Sequence, residues 1–210
     1  MAKHPTTALI ILAKAPAPGL VKTRLIPAIG SEGAAQLAQR LLEHTLLTAR
    51  QCKAFTQLEL CVSPSIDHPA LTSIDLTSFV VTEQGDGDLG ARMHRAFERA
   101  LAQFNAAIMI GTDAPTLTAE LLDQASLQLN DDESVFVPAL DGGYALVGLT
   151  RLMPELFANM PWSTATVMQE TRARLTALDA RWHEFPSVSD IDEPDDLARL
   201  PANWRARWTP

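Results

Sequence analysis

No carboxylate stands before Glu32, whereas Lys3, Lys14, Lys22 and Arg24 all do. In a chain of formal net charge −8 this is a local reversal of sign. The segment Lys14-Ala-Pro-Ala-Pro-Gly-Leu-Val-Lys-Thr-Arg-Leu25 holds two stiffening prolines and Gly19, whose bare backbone can approach a ligand closely. With Lys22 as a point charge and Arg24 as a bidentate fork, it suits a phosphate cradle. A solvated basic turn has the same composition, and neither a Walker A nor a GxGxxG spacing is present to decide between them.

Carboxylates gather elsewhere. Gly111-Thr112-Asp113-Ala114-Pro115 follows an apolar run, where Asp113 can bind a divalent metal or a substrate hydroxyl, or simply form an Asx-turn before a helix. Asp190 and Asp192, two apart before Pro194, can supply a second metal ligand from one side of an extended segment. Glu193, Asp195 and Asp196 suit the first turn of the helix that Pro194 opens, and need no other role. Asp141-Gly142-Gly143-Tyr144 reads as a hairpin turn whose paired glycines also bring backbone near a ligand. In Gln84-Gly-Asp-Gly-Asp-Leu-Gly-Ala-Arg-Met93, the helix entrance can hold an anion, while Asp88 is above all its N-cap. Trp162 precedes Ser163-Thr164, a cap for a helix starting near Ala165, and reads as a lid or core residue. The histidines form no pair at ligand spacing, and no Ser or Cys sits in a nucleophile elbow, so covalent catalysis is not indicated.

These segments need a scaffold. Ala8 to Ala13 has the length and content of a strand buried on both faces. From Ser31 to about Arg50 the spacing of Ala34, Leu37, Leu41, Leu42 and Leu46 predicts an amphipathic helix, with Ser31 as N-cap and Glu32 in its first turn. Strand-like runs recur at Leu58–Val62, Phe79–Thr82, Ala107–Ile110, Val135–Val137 and Ala145–Leu149. Helical patterns intervene at Leu89–Phe104, Thr118–Leu129 and Thr164–Leu178. Such alternation predicts a three-layer α/β/α sandwich with a mostly parallel sheet, whose ligands bind outside the carboxyl ends of the strands.

Composition bounds the rest. With 210 residues, 47% hydrophobic, the chain is expected to fold as a single domain spanning 1–210 without staples. Twenty-five acidic against 17 basic side chains argue against a general nucleic-acid binder. Cys52 and Cys61 read as reduced thiols, and no run is long enough for a signal peptide or membrane span, so a cytoplasmic protein is expected.

Taken in order, KAPAPGLVKTRL, QGDGDLGARM, IGTDAP, PALDGGYALVGL, PWST and DIDEPDDL resemble a family of bacterial GT-A-fold proteins. These are labelled glycosyltransferases of the arsenosugar-biosynthesis type, or a domain of unknown function. The family is similar in fold to nucleotidyltransferases such as molybdenum cofactor guanylyltransferase, phospholactate guanylyltransferase and the cytidylyltransferases for acidic sugars. The resemblance implies a nucleotide-diphospho-sugar transferase, Rossmann-like fold. It further implies phosphate binding by Lys14, Lys22 and Arg24, Mg²⁺ (or Mn²⁺) held by Asp113 and Asp192, and an acceptor admitted at Gly142 and Gly143. Asp141, Tyr144 and Trp162 are expected beside that acceptor.

A fold does not name a reaction. Glycosyl transfer from a nucleotide-sugar usually uses an Asp-x-Asp pair, and Asp113 stands alone. Asp86-Gly87-Asp88 has the spacing but sits at a helix entrance. Lys22 and Arg24 are what a departing pyrophosphate requires. The expected reaction is therefore transfer of a nucleoside monophosphate from a triphosphate to a small phosphorylated acceptor, with Lys22, Arg24 and Asp113 as its catalytic residues. Glycosyl transfer from a nucleotide-sugar, or nucleotide binding without catalysis, are the alternatives.

Overall fold

The computed structural model describes residues 6–208, which leaves Lys3 outside the described residues. Its centre is a seven-stranded sheet. The strands are β1 (Thr7–Lys14), β2 (Gln57–Ser63), β3 (Val80–Glu83), β4 (Ala106–Ile110), β5 (Ser134–Pro138), β6 (Tyr144–Leu149) and β7 (Trp182–Glu184). Their order is β3-β2-β1-β4-β6-β5-β7, with β6 antiparallel to both neighbours and every other pairing parallel. The helices are α1 (Ile26–Gln51), α2 (Leu89–Leu101), α3 (Ala119–Gln128), α4 (Val167–Ala177) and α5 (Ala202–Trp208).

Alternation along the central strands builds the two apolar layers. Leu9, Ile11, Leu60, Ile108 and Val135 pack with Leu42 and Leu46 of α1 and Leu122 and Ala125 of α3. Ala8, Ile10, Ala107, Phe136 and Val147 face Met93 and Phe97 of α2 and Met168 and Leu175 of α4. The expected three-layer α/β/α sandwich with a mostly parallel sheet is therefore the observed architecture. A third cluster joins Leu25, Leu37, Leu41, Ile191, Leu197, Leu200 and Trp204, so the C-terminal segment is clamped onto α1. Among the described residues no helix is long and apolar enough to cross a membrane.

Three local features add to or differ from the expectation. The helix expected from Ser31 is present, but a short helical turn from Ile26 precedes it, with Pro27 in that turn, where a missing N–H is harmless; the two meet at non-helical Gly30 (φ 72°, ψ 166°). The helix expected from Thr164 starts at Val167, and the Thr164 hydroxyl turns back to the Pro161 carbonyl at 2.7 Å. The strand β7 lacks a sequence signal because it has three half-buried residues at the sheet edge.

Candidate active site

A cleft of about 670 Å³ opens beyond the carboxyl ends of β1 and β4 and the start of the reversed strand β6. This is where ligands bind in open α/β sheets. Its walls include Lys14, Lys22, Arg24, Asp88, Asp113, Asp141, Gly143, Tyr144, Trp162 and Asp192, bringing together most of the residues singled out from sequence.

Lys22 stands at the centre. Its ammonium lies 2.5 Å from Asp113 Oδ1 and 3.2 Å from Asp192 Oδ1, and donates to the Ile191 carbonyl at 2.6 Å. Only 6% of its side chain is exposed. The backbone at Lys22 is left-handed (φ 48°, ψ 40°), a conformation that costs a non-glycine residue about 1–2 kcal/mol and that the surrounding ion pairs hold in place. Burial by itself lowers the Lys22 pKa. The charges of Asp113 and Asp192 outweigh burial, so the ammonium titrates above its ordinary value.

Two structural devices bring these carboxylates to one point. The Ile191 amide donates to the Asp113 carbonyl at 2.9 Å, joining the segment after β7 to the loop after β4. Behind it, Asp196 Oδ2 accepts from the amides of Asp192 and Glu193 at 3.0 and 2.7 Å, a capping box that fixes the approach to Pro194. Asp196 is thereby structural, as its place in the first turn predicts. Arg24, half exposed, pairs with Asp192 and Glu193 at 3.2 and 3.3 Å. Lys14 ends β1 in an exposed position at the cleft wall.

At the α2 end, Asp88 caps the helix, its Oδ1 accepting from the Ala91 amide at 2.8 Å. Two further residues there were not singled out from sequence. Gln84, buried, donates to the carbonyls of Ala13 and Cys61 at 2.8 and 3.1 Å, while its Oε1 accepts from Arg92 at 3.3 Å. Arg92 lines the cleft and donates through Nε to the Gly87 carbonyl at 3.0 Å. A cation in the first turn of a helix opposes the dipole, and that is the sequence signal that marks Arg92 as serving something other than its helix.

The β5–β6 side of the cleft carries Asp141, Asp190 and Tyr144, and Trp162 packs between Tyr144 and Gly90 of α2. Asp141 Oδ1 accepts from the Gly143 amide at 2.8 Å and closes the β5–β6 hairpin. Burial raises the Asp190 carboxyl above its ordinary 3.8, and the nearby Asp141 charge adds to the effect. Tyr144 and Trp162 meet edge to face at 6.4 Å between ring centroids, and burial drives the Tyr144 phenol well up. The Trp162 indole N–H is buried without a hydrogen-bond partner.

Two glycines do not serve as expected. Gly19 adopts φ 76° in an exposed turn and is not part of the cleft wall. Gly142 also lies off the cleft wall; at φ 93°, a Cβ there would overlap the Ala165 carbonyl. Its bare backbone is required by packing against the segment before α4.

Two carboxylates and a carbonyl make an all-oxygen donor set for a hard cation, since Mg²⁺ takes one or two carboxylates and completes its shell with water and phosphate oxygens. The sequence-derived pair Asp113 and Asp192 fits a divalent metal in that sense. In this structure the ammonium of Lys22 lies between them.

Strand order, reversed β6 and cleft position define a Rossmann-like fold of the nucleotide-diphospho-sugar transferase type. Within that class, the chain belongs to the bacterial family described as "Uncharacterized protein conserved in bacteria (DUF2064)", whose profile matches residues 45–164. No curated protein matches it. Among solved structures, a Desulfovibrio desulfuricans G20 protein, provisionally assigned as a nucleotide-diphospho-sugar transferase, superposes with a TM-score of 0.86 at 27% identity. That match covers 94% of this chain and 87% of the other. A CMP:2-keto-3-deoxy-manno-octonic acid synthetase complexed with CTP matches at TM-score 0.61 and 11% identity, over 96% and 99% of the two chains. The Mycobacterium tuberculosis H37Rv protein Rv0371c in complex with manganese matches at 0.58 and 20%, over 94% and 98%. The last two likenesses speak to the fold alone.

Proposed function

We propose that this protein is a metal-dependent, nucleotide-using transferase that moves a nucleoside monophosphate from a triphosphate to a small acceptor, releasing pyrophosphate. The observation that carries this reading is the meeting of Asp113 and Asp192, from distant segments, at one cation position beside the basic loop that follows β1. The provisional assignment of the Desulfovibrio protein, and the CTP and manganese named for two of the fold's other members, are consistent with nucleotide and metal at this cleft.

Charge divides the cleft. Lys14, Arg24 and Arg92 line the part built by β1 and α2, where a triphosphate needs cations. On the β5–β6 side, Asp141 and Tyr144 supply a carboxylate and an aromatic face, which suit sugar-like hydroxyls better than the phosphorylated acceptor that the sequence suggested. A metal bound by Asp113 and Asp192 would supply charge neutralisation at the α-phosphate. Arg24 stabilises the charge developing on departing pyrophosphate, and no covalent nucleophile is needed because such transfer relies on positioning and electrostatics.

The alternative, glycosyl transfer from a nucleotide-sugar, draws on the assignment of the Desulfovibrio relative. Against it, the Asp86-x-Asp88 pair commits Asp88 to capping α2, and the other Asp-x-Asp pair at the cleft, Asp190-x-Asp192, does not lie at a strand end. Calorimetric titration with mono-, di- and triphosphates of each base in Mg²⁺, with assay of pyrophosphate release, tests the choice. Triphosphate should bind at least tenfold tighter than monophosphate, and Arg24→Ala should erase about a tenfold advantage, one charge-assisted contact. A diphosphate preference without pyrophosphate release favours glycosyl transfer, and nucleotide binding without turnover on any acceptor favours a non-catalytic role.

A further inference from the structure

An ammonium has three N–H donors, and those of Lys22 are matched by three oxygens: Asp113 Oδ1, Asp192 Oδ1 and the Ile191 carbonyl. Nothing is left over for a phosphate. The sequence suggests Lys22 as a phosphate ligand and Asp113 with Asp192 as metal ligands, yet in this geometry the three are satisfied by one another. A metal ion between the two carboxylates and the Lys22 ammonium where it now stands would be two cations at one position, which Coulomb repulsion forbids at such distances.

We propose that Lys22 is the resident counter-cation of the Asp113–Asp192 pair, and that a divalent metal displaces it, releasing the ammonium to the phosphates of an incoming nucleotide. The inference rests on the reading of Asp113 and Asp192 as metal ligands.

The side chain is suited to such an exchange. A lysine stem is flexible through four carbons, and its three donors rotate freely, unlike the fixed fork of an arginine. Lys22 lines the cleft from a loop that also carries Arg24, so the ammonium can leave the carboxylates without leaving the cleft. Metal and nucleotide then bind cooperatively. The metal must expel a bound ammonium, and the expelled ammonium finds new acceptors only when phosphates are present. With no nucleotide present, Lys22 keeps the acidic pair neutralised and holds metal affinity down.

Mn²⁺ binding, followed by electron paramagnetic resonance in the absence of nucleotide, reads this directly. Lys22→Met should bind Mn²⁺ at least tenfold tighter than the wild type, and adding a nucleoside triphosphate should strengthen Mn²⁺ binding less in the variant than in the wild type. Equal or weaker Mn²⁺ affinity in Lys22→Met overturns the exchange while leaving the metal reading intact. Absence of Mn²⁺ binding from both proteins overturns both. A second measurement needs no variant: brief acetylation of the wild-type protein, with mass-spectrometric readout. Lys22 should be protected without metal and become several-fold more reactive at saturating Mg²⁺ relative to Lys14 and Lys53. Equal protection with and without Mg²⁺ overturns the exchange.

Discussion

The Ile191 amide donates to the Asp113 carbonyl at 2.9 Å, and the Ile191 side chain is fully buried among Leu25, Leu37, Leu41, Leu197, Leu200 and Trp204. One residue thus ties the loop after β4 to the C-terminal segment through its backbone and anchors both to α1 through its side chain. Ile191→Ala keeps the hydrogen bond but opens a cavity, and should cost about 2–5 kcal/mol of stability. Urea denaturation measures it. A loss below about 1 kcal/mol would mean that this cluster does not hold Asp192 in place.

Gly142 and its neighbour Gly143 provide a paired comparison. Gly142 has φ 93° and no room for a Cβ against the Ala165 carbonyl, whereas a Cβ at Gly143 meets only the Asp141 carboxylate, 3.2 Å away at the end of a movable side chain. Strain and overlap together should make Gly142→Ala cost about 2–4 kcal/mol, and Gly143→Ala about 1 or less. Thermal unfolding of the two variants checks the order. Equal melting temperatures would contradict the close approach.

These cases mark what sequence could carry. The reversal of charge around Lys22 and Arg24, the strand-end position of Asp113 and the capping duty of Asp88 depend on neighbours in the chain, and pattern reached them. The partners of Lys22 lie on segments far along the chain, so spacing offered no view of the Lys22–Asp113–Asp192 triad and suggested a ligand for a charge already matched. Gly142 looked like a ligand-facing glycine because a turn and a tertiary contact impose the same bare backbone. Glu59 is a further instance: inside the strand run Leu58–Val62 it has the alternation of a solvent-facing residue, yet it is only 2% exposed, because Arg99 reaches it from α2.

That buried pair has its own expected behaviour. Arg99 donates to Glu59 and to the Thr82 hydroxyl, which itself donates to Glu59 Oε1 at 2.6 Å. Arg99→Met would leave a buried carboxylate without its cation and should cost about 3–5 kcal/mol, whereas Glu59→Leu with Arg99→Met removes both charges and should recover most of that loss. Chemical denaturation of the single and double variants completes the cycle. An Arg99→Met protein as stable as wild type would show that water or Thr82 alone satisfies Glu59.

Acid should act first at the β7 edge. Arg172 of α4 holds Glu184 of β7 through two bonds of 2.8 and 2.7 Å, and Trp182 adds a third at 3.1 Å. Glu133 reaches the same edge, accepting from the Arg181 amide at 3.0 Å and from Arg151 at 2.7 Å. The Arg172 hydrogen bond is the main cause that lowers Glu184 below the ordinary 4.5, and the Arg151 hydrogen bond does the same for Glu133. A carboxyl depressed in the folded state contributes stability that is present above pH 4.5 and is lost as the pH falls through its folded value. Both clamps therefore weaken below pH 4.5, together, on a strand that pairs on one side only. Hydrogen exchange resolved by residue should find the Phe185 amide, bonded to the Phe136 carbonyl at 2.9 Å, losing protection on acidification before the amides of β1 and β4. Glu184→Gln should lower the melting temperature at neutral pH and converge on the wild type as the pH falls below 4.5 and through the depressed value of Glu184. A pH-independent difference between the two proteins, or simultaneous loss of protection across the sheet, would contradict a carboxylate clamp at β7.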